Sequence, residues 1–134
     1  MHRHLCRIAV PALALLCGVA ACSRITDPPS EPVQDLALAV GDAARLSSAM
    51  VRVVAVQDSR CPSDVVCFTA GDVVMVLAFS GAGNARTDTL RLFTTPKSST
   101  YGGFLFTPLR VLPYPRTDGP NVPKTLTLHV TDAP

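Results

Sequence analysis

The stretch Asp58-Ser59-Arg60-Cys61-Pro62-Ser63-Asp64-Val65-Val66-Cys67-Phe68 of this 134-residue chain places two cysteines beside two aspartates, an arginine and a proline. Two thiols six positions apart, flanked by carboxylates, could serve a metal, a redox couple or a covalent staple. Zinc takes four ligands, usually in closely spaced pairs, and outside the first 22 residues the chain adds only His129. A thioredoxin-like centre needs Cys-x-x-Cys at a helix start to lower one thiol pKa, which this spacing lacks. Asp58, Asp64 and Asp72 could approach one another for calcium, but the alternating oxygen ligands of a calcium loop are missing, and loop aspartates commonly cap turns. The spacing therefore predicts a Cys61–Cys67 disulfide that closes a short loop, with no metal or cofactor. In the chain-entropy view so small a ring contributes about 2 kcal/mol. For catalysis, a Ser-His-Asp arrangement has only His129 to draw on, and no Gly-x-Ser-x-Gly elbow exists. Glu31 is the sole glutamate, so no catalytic residue is assigned.

The start of the chain says where this chemistry takes place. MHRHLCR carries Arg3 and Arg7 and no acid, Ile8 to Ala21 is almost wholly apolar or small, and Val19-Ala20-Ala21-Cys22 ends the run. A basic start, a short apolar core and small residues before a cut describe an export signal. The core is shorter than the roughly 20 residues a spanning helix needs. Val19-Ala20-Ala21-Cys22 resembles the lipobox of bacterial lipoproteins. The resemblance implies that residues 1–21 are a signal peptide and that Cys22 receives lipid, palmitate included, and becomes the first mature residue. Ser23 after the cysteine, rather than aspartate, implies the outer membrane, facing the periplasm. Cys6 and Cys17 then leave with the leader and Cys22 is capped, so Cys61 and Cys67 form the remaining pair in an oxidising compartment. Arg3 and Arg7 leave too, so ten cations face ten anions, which gives no electrostatic footprint for nucleic acid.

Ser23 to Asp35 holds three prolines and no periodicity. With Cys22 it reads as a lipidated tether, residues 22–35, whose thirteen residues after the cysteine reach about 40 Å when extended. Residues 36–134 read as one domain of strands. LALAV (Leu36–Val40) alternates Leu36, Leu38 and Val40 on one face, and Met50–Val56 is rich in β-branched residues. Asp72–Phe79 is apolar on both faces, as a central strand would be. Ser80–Asn84 turns the chain toward Thr87–Phe93, the clearest hairpin. Phe104–Leu112 holds one or two short strands, with Pro108 at a bulge, break or edge, and Thr125–Val130 turns Leu126, Leu128 and Val130 inward. Ala43–Ser48 has room for one helical turn at most. The pattern predicts an all-β fold, a small antiparallel β-sandwich, with an Ig-like arrangement or a small barrel as alternatives.

The run from Asp58 to Val76 also resembles that of a group of small bacterial exported proteins and lipoproteins. The shared positions are Asp58, Ser59, Arg60, Cys61, Pro62, Asp64, Cys67, Ala70 and Gly71, followed by a hydrophobic strand. Thr69 stands where the group usually carries tryptophan, and Pro113-Tyr114-Pro115 before the last strand is similar as well. The resemblance implies an envelope address and no activity.

Two loops offer surfaces for recognition: the stapled loop, with Arg60 expected to be exposed beside Asp64, and Leu112–Pro123, whose four prolines flank Tyr114 and Arg116. A rigid loop loses less entropy on binding. The expected function is a non-catalytic envelope module, anchored to a membrane and meeting a protein partner. Two alternatives remain: a protease inhibitor presenting Arg60 to a trypsin-like cleft, and a small envelope hydrolase in which two or more aspartates meet His129.

Overall fold

A computed structural model describes residues 33–120 and 122–134. The expected signal peptide, the expected lipid-bearing Cys22 and nearly all of the expected tether lie outside the described residues. Eight strands follow one another: β1 (Gln34–Ala39), β2 (Ala43–Arg45), β3 (Met50–Asp58), β4 (Val73–Ser80), β5 (Arg86–Arg91), β6 (Ser99–Tyr101), β7 (Phe104–Leu112) and β8 (Thr125–Asp132). They form two four-stranded antiparallel sheets, ordered β1-β8-β7-β6 and β2-β3-β4-β5. The chain is an all-β sandwich, as the alternation of its apolar residues predicts.

The alternation sets which side chains meet between the sheets, because successive strand residues point to opposite faces. Val73, Met75, Leu77 and Phe79 of β4 are buried, while Val74, Val76 and Ala78 between them are half-covered on the outer face. Leu126, Leu128 and Val130 of β8 face them from the other sheet, fully buried as expected. Phe79 spans the gap, its ring 4.9 Å from that of Phe106 and 5.3 Å from that of Tyr101. Burying each such side chain contributes roughly 1.5–3 kcal/mol, so this two-sided layer is the main source of cohesion.

Three local expectations are refined. Leu38 is buried and Leu36 half-buried, but Val40 is exposed, because the chain leaves β1 at Ala39. A tight turn follows, in which the Asp42 N–H donates to Ala39 O at 3.1 Å and the Gly41 N–H to Val53 O at 2.8 Å. Ala43–Arg45 is a strand rather than a helical turn, since its residues pair with Met50–Arg52 of β3. Phe104–Leu112 is one continuous strand, and its register slips between Pro108 and Arg110. The proline sits at this bulge, past the end of the β6 pairing at Phe106, a position that sheets tolerate.

Both seams between the sheets are tied. The turn from β1 to β2 closes one. On the other, Arg86 of β5 donates to the Ser99 hydroxyl at 3.0 Å and to Thr100 O, and the Ser99 hydroxyl donates to Asp88. The register then fixes two poles. Gln34, where β1 begins, lies opposite Val130, whereas Ala39 lies opposite Thr125 at the start of β8. The connections β3–β4 and β7–β8 therefore share the pole away from the start of β1.

Candidate functional site

At that pole the β3–β4 connection is built as a braced arch. Beyond the last β3–β4 pair, the Ser59 N–H donates to Asp72 O at 2.9 Å and the Cys61 N–H to Ala70 O at 3.1 Å. The Ser59 hydroxyl donates to Asp72 O at 2.8 Å and accepts from the Asp72 N–H at 3.0 Å. Gly71 permits this approach. Its φ is +68°, and a Cβ there would lie 1.8 Å from Ser59 O. Above the arch Cys61 and Cys67 form a disulfide with Cα atoms 5.8 Å apart. The bond holds Val66 and Phe68 outward with nothing covering them, at 101% and 110% relative exposure.

Arg60 is not on this surface. Its relative exposure is 6%, which corrects the expectation of an exposed arginine. The guanidinium folds back onto its own strand: Nε donates to Asp58 Oδ1 at 2.8 Å and Nη2 to Asp58 Oδ2 at 2.6 Å. Nη2 also donates to Val111 O at 3.0 Å, and the Tyr114 ring lies over the group, 4.2 Å from centroid to Cζ. Lys124 adds a second cation 3.1 Å from Asp58. Burial alone would raise the Asp58 pKa, but the hydrogen bonds from Arg60 and Lys124 hold it below the ordinary carboxylate value. A guanidinium with these partners cannot enter a protease cleft while the arch stays folded. The buried guanidinium argues against the inhibitor alternative, which requires Arg60 at the surface.

The second loop is zipped onto the first. The Ser63 N–H donates to Pro115 O at 3.0 Å. Asp64 accepts the Thr117 N–H at 3.0 and 3.1 Å and also the Thr117 hydroxyl, and these bonds lower its pKa. Lys124 Nζ donates to Pro113 O at 2.9 Å. Four residues expected at binding loops, Arg60, Asp64, Tyr114 and Arg116, thus share one pole in distinct roles. Arg60 supports Tyr114, Asp64 latches the loops, Tyr114 is 46% exposed, and Arg116 pairs with Asp118 on the surface at 3.0 Å. Beside Tyr114 opens a cleft of about 410 Å³, lined by Pro113, Pro115, Pro120, Val122, Arg116 and Lys124 among others. Thr117, Val122 and Lys124 escaped the sequence reading. Only the aromatic ring among prolines signalled the cleft.

The carboxylates expected of a hydrolase do not converge on His129 within the described residues. Asp72 accepts the N–H groups of Val73 and Phe93 at 2.7 and 3.0 Å and the Thr94 hydroxyl at 2.5 Å. Against the opposing effect of burial, these bonds hold its pKa at about 2. His129 lies on β8, and its Nδ1 is 2.7 Å from Asp35 of β1. Among the described residues no group of three His, Cys, Asp or Glu side chains is placed to hold a metal ion.

The pole thus presents a half-exposed aromatic ring, a ring of prolines and two cations around one concavity. One of its loops is braced by a disulfide, and the two are joined by hydrogen bonds spanning more than fifty residues of sequence. Comparison of the chain with protein-family models, with curated proteins and with solved structures finds no match.

Proposed function

We propose that this chain is a non-catalytic binding module of the bacterial cell envelope. In this reading it is lipid-anchored through Cys22, stands at the outer membrane facing the periplasm, and holds an envelope protein partner in the cleft beside Tyr114. The observation that carries the reading is the cleft itself: apolar, aromatic and proline-lined, on a pole whose two loops are locked together by hydrogen bonds. Concave, mostly apolar sites with a few placed polar groups are where ligands bind, and loops fixed beforehand lose less entropy when they do. The polarity of the fold supports the same reading. The chain begins its first strand at the pole away from the cleft, so a tether arriving there leaves the cleft unobstructed.

The anchor and the cleft are tested separately. Palmitate labelling in cells should be lost on Cys22→Ser, with the protein passing to the soluble fraction; labelling that persists removes the anchor. For the cleft, a photo-crosslinking residue at position 122 should yield an adduct in intact cells. Tyr114→Ala should abolish that adduct, and an adduct indifferent to the substitution removes the cleft from the function.

A further inference from the structure

The cleft's lining suggests what it holds. Tyr114 is backed by the Arg60 guanidinium and flanked by Pro113, Pro115 and Pro120. Aromatic grooves of this kind take polyproline segments, which are already extended and lose little entropy on docking. The cleft walls carry Arg116 and Lys124 and no acid. Among the described residues Arg116 pairs with the exposed Asp118. Surface pairs of that kind are worth little, so Arg116 can exchange Asp118 for another carboxylate. A fitting occupant is therefore an extended proline-rich peptide bearing acids.

One segment of this chain meets that description: Asp27-Pro28-Pro29-Ser30-Glu31-Pro32. It cannot serve its own cleft. β1 uses the five steps from Gln34 to Ala39 to draw level with Thr125. Even the seven steps back from Gln34 to Asp27 span about 24 Å at most. Running back along β1 uses about 17 Å of that, so Pro29, Ser30, Glu31 and Pro32 fall short of the loops beyond and the segment as a whole cannot lie in them. We infer that the cleft receives the Asp27–Pro32 segment of a second copy of the same chain, so that copies link segment to cleft. This deepens the binding reading above and rests on it. Each copy has one segment and one cleft, so the contact is head-to-tail. Copies tethered to one membrane meet at raised effective concentration, where an individually weak contact suffices.

Analytical ultracentrifugation of the full chain in detergent micelles tests this, with two kinds of variant. Pro29→Ser/Pro32→Ser disables the segment, which lies outside the described residues. Tyr114→Ala and, independently of the Arg60 stack, Val122→Asp disable the cleft. The wild type should associate with rising concentration, and each defect should weaken association about ten-fold or more. Mixing a segment-defective with a cleft-defective chain should restore a complex that stops at one to one. A wild type that stays monomeric, association indifferent to the variants, or a mixture that fails to pair each overturns the inference. If the adduct at position 122 in cells depends on Tyr114 but not on Pro29 and Pro32, the occupant is a different protein. Self-association then falls while the binding reading stands.

Discussion

Removing the Arg60 guanidinium leaves the Asp58 carboxylate inside the protein with Lys124 as its remaining cation. Breaking a buried pair from one side is costly because the surviving charge stays desolvated. Arg60→Ala should lower the unfolding free energy by about 3 kcal/mol, measured by urea denaturation. A loss below about 1 kcal/mol, as for a surface pair, would contradict the burial described here. Asp72 makes a second prediction. Of its three acceptor bonds, two tie the start of β4 to the chain after β5 and one is to the neighbouring Val73 N–H, so Asp72→Ala should cost about 2 kcal/mol at neutral pH. Its pKa of about 2 lies below the ordinary 3.8. The stabilisation is therefore complete above about pH 4 and disappears as pH falls through about 2. Asp58 and Asp64 are shifted in the same direction. Wild-type stability should decline over that acid window and the Asp72→Ala variant should decline less, as read from denaturation midpoints across pH.

At the scale of elements, two glycines separate strain from collision. Gly41 has φ +97° with open space around it, while Gly71 has φ +68° with Ser59 O where its Cβ would stand. Gly41→Ala should cost only the left-handed backbone, about 1–2 kcal/mol. Gly71→Ala must also force the arch open, so it should cost clearly more and release the neighbouring ladder bonds. Amide hydrogen exchange at Cys61 and Ser59 reads the difference, and equal effects at the two positions would refute the close approach. The same arch shows how far the sequence could be read. Periodicity revealed six of the eight strands, all but β2 and β6, and the hairpin β4–β5, and Pro108 marked a bulge, break or edge, because each depends on neighbours a few residues away. The fate of Arg60 was hidden, because it depends on Val111 and Tyr114, more than fifty positions along the chain. Asp64 with Thr117 was hidden for the same reason. Ala43–Ser48 misled because three residues are too few for a period, and pairing with β3 decided their conformation. Tyr114 among prolines marked a surface worth finding, but its depth comes from Val122 and Lys124, which carry no such mark.

Across the whole molecule, the pairing of β1 with β8 joins the beginning of the described chain to its end. Sheet order places β8 between β1 and β7, so without it the sheet divides into a lone strand and the β6–β7 hairpin. A chain stopped after Lys124 should therefore stay open to protease throughout, although β2 to β5 are complete. Limited proteolysis that spares a resistant core of β2–β5 would show the second sheet to be self-sufficient. If the chain is exported as proposed, the pairing also bears on delivery. A polypeptide passed N-terminus first through a membrane pore cannot zip β1 to β8 until the seven strands before β8 have crossed. Premature compaction on the near side, which would jam the passage, is discouraged by the same feature: the closing strand is made and arrives after the other seven.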